Sequence, residues 1–171
     1  MRVIYSDQEM PVDKSFSIFL AGPTPRTLDV KSWRPEALNL LEELKFNGMV
    51  FVPEHQVRVA KASYIDQVEW EWEGLENCSC VAFWVPREIE KMPAFTTNVE
   101  FGSYIRSERS VYGRPDSASK CRYLDWLYLK TRGLIPENSL KTTLEKAIKA
   151  ARRQQERAEA RIEHLQTQLE N

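Results

Sequence analysis

Cys80-Val81-Ala82-Phe83-Trp84-Val85, followed after a short Pro-containing interval by Ala94-Phe95-Thr96-Thr97-Asn98-Val99-Glu100-Phe101-Gly102-Ser103-Tyr104, decides how the chain reads. The first run is apolar on both alternating faces, as a central strand of a parallel sheet has to be. The second has the spacing of a helix entered from that strand's carboxyl end. Open α/β folds keep their ligands at the edge where such strands return into helices, and Glu100 is delivered there. Two roles fit it. Thr97-Asn98-Val99-Glu100 has the spacing of a capping box, in which the Glu only fixes a helix end. Gly102, two residues on, costs about 1 kcal/mol relative to Ala inside a helix, and its missing side chain makes room for a ligand over the helix start.

Working outward, the same strand-then-helix alternation repeats. Residues 2–5 read as a short edge strand, and Phe16 to Ala21 as a strand that stops in Gly22-Pro23-Thr24-Pro25-Arg26. Gly22-Pro23 fits a plain tight turn and a ligand-facing loop equally well. A helix is expected over Ser32 to Asn47, with Ser32 as N-cap, Pro35 in the first turn and Gly48 as the stop. No Gly-x-Gly-x-x-Gly follows the strand, which argues against ordinary dinucleotide binding. Met49 to Pro53 is the next strand and delivers Glu54, His55 and Gln56 to the same edge. Tyr64 to Asn77 has helical spacing, with Ile65, Val68, Trp72 and Leu75 as the expected core face. Gln67 and Glu71, four apart, share another face, either reaching into a pocket or simply solvated like Glu69, Glu73 and Glu76.

Beyond the central strand, Arg87 emerges at its end and a helix is expected from Asn98 to about Arg106. Ser110 to Gly113 is a short strand, Pro115 opens a helix containing Tyr123, Leu124, Trp126, Leu127 and Leu129, and Gly133 and Pro136 end the body. The prediction is a Rossmann/flavodoxin-like parallel sheet of four to five strands with helices on both faces and right-handed crossovers. From Ser139 onward Leu144, Ile148, Ala151, Gln155, Ala158, Ile162, Leu165 and Leu169 follow steps of four and three, a heptad seam. The expected organisation is therefore an α/β domain over 1–137 and a C-terminal oligomerisation helix over 138–171, a coiled coil with a second copy of the chain in an even-numbered homo-oligomer.

Composition narrows the function classes. A net charge of −1 argues against wholesale nucleic-acid binding, and the basic block Lys146, Lys149, Arg152, Arg153 reads as a solvated helix face. No apolar run approaches about 18 residues and Met1 to Lys14 is charged throughout, so no membrane span and a cytoplasmic location are expected. Cys78, Cys80 and Cys121 make an odd count without a disulfide framework, and the Cys78-Ser79-Cys80 spacing on a strand sends both sulfurs to one face. His55 and His164 have no ligand-spaced partners, so no metal site is expected.

Five stretches in order, Ile18-Phe19-Leu20-Ala21-Gly22-Pro23, Phe51-Val52-Pro53-Glu54, Gln67 with Trp70-Glu71, Phe83-Trp84-Val85-Pro86-Arg87 and Thr96-Thr97-Asn98-Val99-Glu100-Phe101-Gly102, resemble the nucleoside 2-deoxyribosyltransferase superfamily. The similarity is closest to its 2-deoxyribosyltransferase-like branch and covers roughly residues 16–125. The resemblance implies that Glu100 is the nucleophile that forms a glycosyl-enzyme and that Glu71 assists the leaving base, with Glu73 as the neighbouring alternative. It implies a substrate-binding set of Phe19, Gly22, Pro23, Arg26, Gln67, Arg87, Asn98 and Gly102. Arg26, Arg34 and Arg87 fall at expected strand ends or helix starts, where they either hold a 5′-phosphate or pair with surface acids, and Phe19, Trp70, Trp84 and Phe101 are candidates either to stack on a base or to fill the core. The activity so implied is transfer or hydrolysis at the N-glycosidic bond of a 2′-deoxynucleoside or nucleotide, without metal or organic cofactor. Phe19 stands where the family commonly has a Tyr, the acidic residue usual near Ser79 is absent, and Asn98 stands where the loop is often Gly-rich. A binding module that captures a nucleotide without turnover is therefore an alternative, as is a scaffold organised by the C-terminal helix.

Overall fold

The computed structural model describes residues 1–27, 29–56 and 63–169. Strands β1 (Arg2–Tyr5), β2 (Ser17–Ala21), β3 (Met49–Val52), β4 (Cys80–Trp84) and β5 (Ser110–Gly113) form one parallel sheet in the order β1-β3-β2-β4-β5. Helices α1 (Arg34–Glu43), α2 (Tyr64–Asn77), α3 (Phe95–Tyr104), α4 (Arg122–Arg132) and α5 (Leu140–Leu169) cover it. From β2 the chain steps outward to β3 and then returns across β2 to β4. Connections therefore diverge between β2 and β4, which opens a crevice at their carboxyl ends.

Alternation along the strands sorts the core into two layers. Ile18, Leu20, Val50, Val52 and Ala82 meet Ala37 and Leu41 of α1 and Leu144, Ala147 and Ile148 of α5. Phe19, Phe51, Val81 and Phe83 point the other way, onto Trp70 and Leu75 of α2, Phe101 of α3 and Leu124 and Tyr128 of α4. That second layer is aromatic: Phe101 packs edge-on against Phe83 at 5.2 Å and Tyr112 at 4.8 Å between ring centroids. Cys78 and Cys80 fall in opposite layers, because Cys78 caps α2 and only Cys80 lies on β4. The same-face expectation for the two sulfurs is thereby corrected.

Several helix boundaries and faces differ from their sequence expectation. α1 ends at Glu43, and Lys45, at φ 57°, makes the left-handed turn expected of Gly48. α2 has the expected bounds, but Ile65 and Trp72 are 65% and 63% exposed while Trp70, Gly74 and Leu75 are buried. The reason is close packing at Gly74, where a Cβ would lie 2.7 Å from the Phe19 ring, so only this rotation of α2 lets it reach the sheet. α3 starts at Phe95, three residues earlier than expected, through a left-handed Ala94 at φ 60°. Thr97 is buried inside the first turn and no side chain caps this helix, so the capping box does not form. Glu100 lies in the second turn instead. α4 begins at Arg122 rather than at Pro115.

The first three turns of α5, Leu140 to Ala151, pack on β4, β5 and α1, and Ser139 Oγ accepts from Thr142 N at 3.2 Å at its start. The early seam positions Leu144, Ile148 and Ala151 thus face the sheet. Ile162, Leu165 and Leu169 are exposed on the remainder. Among the described residues no helix is long and apolar enough to cross a membrane.

Candidate active site

The crevice is shaped from below by α1. Arg34 is 1% exposed and its guanidinium is surrounded by acceptors: Nε donates to Leu20 O (3.1 Å), Nη2 to Gly22 O (2.7 Å), and Nη1 to Thr24 Oγ1 (3.1 Å) and Glu54 Oε1 (2.6 Å). Glu54 Oε1 also accepts from Ser32 Oγ at 2.8 Å, and Trp33 Nε1 donates to Pro23 O at 3.1 Å. Trp33 and Arg34 therefore hold the loop that leaves β2, while Ser32 and Arg34 hold Glu54 at the exit of β3. Burial pushes the Arg34 guanidinium down from its ordinary value, and the Glu54 carboxylate opposes that shift. Gly22 is required at the top of this loop: at φ 153° a Cβ would lie 2.1 Å from Trp84 O, so β2 and β4 exit too close together for any side chain.

Above the loop lies a cleft of about 350 Å³, lined by Phe19, Gly22, Pro23, Thr24, Arg26 and Arg34 on one side and by Tyr64, Gln67, Val68, Glu71, Pro93 to Thr97 and Glu100 on the others. Gln67 and Glu71 project from one face of α2, and Gln67 Nε2 donates to Glu71 Oε1 at 2.9 Å. Glu100 enters from α3. Its carboxyl is pushed up to about 7, first by burial and then by the negative charge of Glu71, with Arg34 opposing. Glu71 is also raised, by burial, against the hydrogen bond from Gln67 and the charge of Arg34. Two carboxyl groups in one poorly solvated cleft cannot both ionise freely, and Glu100 is the one pushed furthest toward its neutral form. At the mouth, Arg26 is exposed with its guanidinium 5.6 Å from the Phe95 ring centroid.

Seven of the ten residues singled out by sequence line this cleft: Phe19, Gly22, Pro23, Arg26, Gln67, Glu71 and Glu100. Arg87, Asn98 and Gly102 do not. Arg87 is 4% exposed and donates to Lys120 O at 2.9 Å and to Asn98 Oδ1, so the two polar groups hold each other and tie α3 to the exit of β4. Gly102 is exposed on the outer side of α3, where an added Cβ would meet nothing within 4 Å. Its place follows from the helix itself: at about 100° per residue, position 102 lies on the face opposite Glu100. Glu73 pairs with Lys14 at 2.8 Å rather than lining the cleft. Trp70, Trp84 and Phe101 are core residues.

Glu54 lies at the expected edge, and Arg34 is the residue whose role the sequence reading misplaced. Arg34 is engaged by the protein itself rather than open to a phosphate. A signal was present, since an Arg in the first turn of a helix that faces the sheet must find acceptors nearby. Among the described residues no group of three or more His, Cys, Asp or Glu is arranged to hold a metal ion.

A search of curated proteins finds no match to this chain. A family model described as nucleoside 2-deoxyribosyltransferase like matches residues 15–118. The matched span runs from just before β2 to just past β5 and carries the β2 exit loop, the buried Arg34 and both cleft carboxyl groups. With more than half of its length matched, and with the sheet and crevice in place, the chain belongs to the nucleoside 2-deoxyribosyltransferase-like family.

Proposed function

We propose that this protein is an enzyme that transfers or hydrolyses at the N-glycosidic bond of a 2′-deoxynucleoside or its nucleotide, with Glu100 as nucleophile and Glu71 as acid/base. The observation that supports this reading best is the placement of these two carboxyl groups in one cleft, where burial raises both and the charge of Glu71 raises Glu100 further. In the reactive arrangement Glu100 is ionised and Glu71 is protonated. The C1′–N bond breaks, its electron pair passes to the base nitrogen, and that nitrogen takes the Glu71 proton. The Glu100 carboxylate closes on C1′ as the glycosyl-enzyme. A second base or a water then attacks from the opposite face of this intermediate, returns a proton to Glu71 and frees Glu100, with net retention.

Glu100 holds its proton more tightly than an ordinary carboxyl does. Positive charge developing at C1′ during bond cleavage reverses that preference, so the carboxylate is stabilised most where the transition state needs it. Gln67 orients Glu71 through the 2.9 Å hydrogen bond. Phe19, Gly22 and Pro23 shape the cleft for the sugar and base, and Arg26 and the Thr24 and Thr96 hydroxyls line its rim. Residues from Arg152 onward, with Ile162, Leu165 and Leu169 exposed, serve as the homo-oligomerisation element.

A second reading is nucleotide capture without turnover. The raised Glu100 carboxyl favours it, because a neutral acid is a hydrogen-bond donor and a poor nucleophile. Chromatography of base release and exchange separates the two. Wild type and Glu100→Ala are incubated with deoxynucleosides and their monophosphates, with and without a second free base. Exchange or release by wild type alone supports catalysis through Glu100; ligand binding without either supports capture.

A further inference from the structure

A second polar cavity lies at the opposite end of the sheet from the cleft. Arg106 follows α3, Glu108 precedes β5, Arg132 ends α4, and Arg153 and Arg157 stand four apart on α5. With Thr131 and Gln154 they wall a cavity of about 500 Å³ in which no apolar side chain takes part. Four guanidinium groups face one carboxylate, a surplus of three positive charges in a chain whose net charge is −1. Like charges gathered in one concavity repel, and a bound anion removes that cost.

The arginines are not equally free. Arg132 Nη1 donates to Ser107 O and Ser110 O, which fixes its side chain at the start of β5. Arg157 Nη1 pairs with Glu108 Oε2 at 2.7 Å, with both side chains mostly exposed. Such an exposed pair contributes little to stability and exchanges readily for a better anion. The Glu108 carboxyl is held below its ordinary value by Arg157, with further contributions from Arg132 and Arg153, so all three guanidiniums act at this one place.

We propose that this cavity binds a compact oligophosphate anion, held by Arg106, Arg132 and Arg153, with Arg157 released from Glu108 to complete the site. Guanidinium forks match the paired oxygens of phosphate groups. A small anion fits better than a nucleic-acid strand. The cavity is bounded by three elements and holds Glu108, and Glu156 and Glu159 follow on α5, where a long polyanion would meet them.

The test is calorimetric titration of the full-length protein with pyrophosphate at low salt, on wild type and four single variants shown by circular dichroism to be folded. The expected result is one site per chain, weakened about tenfold by Arg153→Gln, which loses a charge-assisted contact. Glu108→Gln tightens binding several-fold, because the competing carboxylate is gone. Arg152→Gln removes the same charge from α5 outside the cavity and leaves the affinity unchanged, and Arg26→Gln in the distant cleft does the same. The proposal is overturned by absence of binding, by Arg152→Gln weakening it as much as Arg153→Gln, or by Arg26→Gln abolishing it. It is overturned equally if single-stranded oligonucleotides displace pyrophosphate with affinity that rises with length and falls steeply with salt.

Discussion

Arg34 Nη1 lies 2.6 Å from Glu54 Oε1 beneath the cleft, in an ion pair whose side chains are 1% and 13% exposed. The pair joins the first turn of α1 to the exit of β3, and the same guanidinium holds the carbonyls of Leu20 and Gly22. Removing Glu54 leaves a buried cation without its counter-charge. Glu54→Ala is expected to lower stability by about 3 kcal/mol. The effect is read as a shift of the urea unfolding midpoint at unchanged slope.

Glu71 and Glu100 separate kinetically if their roles differ. Glu71→Gln is expected to slow release of a poor leaving base by about 10²- to 10⁴-fold, and to slow release of an already activated base much less. Glu100→Ala slows both alike. Steady-state rates on two such substrates check this, and equal losses in Glu71→Gln would remove Glu71 from the acid/base role.

The proton on Glu100 also sets a stability profile. Its carboxyl lies at about 7 in the folded protein against an ordinary 4.5, so between these values the folded state binds more protons than the unfolded one. Stability therefore falls as pH rises through that window. Glu100→Gln removes the share that Glu100 contributes, and the variant is expected to exceed wild type above pH 7 by on the order of 1–3 kcal/mol, the gap closing toward pH 4.5. Denaturant titrations of both proteins across the window measure it; a constant gap would contradict the placement of Glu100.

Two glycines respond in opposite directions. Gly22→Ala puts a Cβ 2.1 Å from Trp84 O at a φ of 153° and is expected to cost at least about 2 kcal/mol and to disturb the cleft. Gly102→Ala meets nothing within 4 Å on an exposed helix and is expected to stabilise by roughly 0.5–1 kcal/mol with KM unchanged. Thermal melts and substrate titrations of the two variants test both halves.

The strands, the limits of α2 and the delivery of Glu100 to the carboxyl edge were legible in the sequence, because apolar alternation and helical spacing are local properties of the chain. The ordered stretches from Ile18 to Gly102 likewise carried the family. Tertiary structure alone decided which face of α2 turns inward, since close packing of Gly74 on Phe19 outweighs the apolar stripe of Ile65, Val68 and Trp72. It also decided that α3 begins at Phe95, that Arg87 and Asn98 engage each other, and that the early heptad positions of α5 lie on the sheet. Rotation of a helix about its axis and the partner of a buried charge depend on residues far away in sequence. Arg34 shows this most directly: its acceptors come from Leu20, Gly22, Thr24 and Glu54, and only the folded chain brings them around one guanidinium.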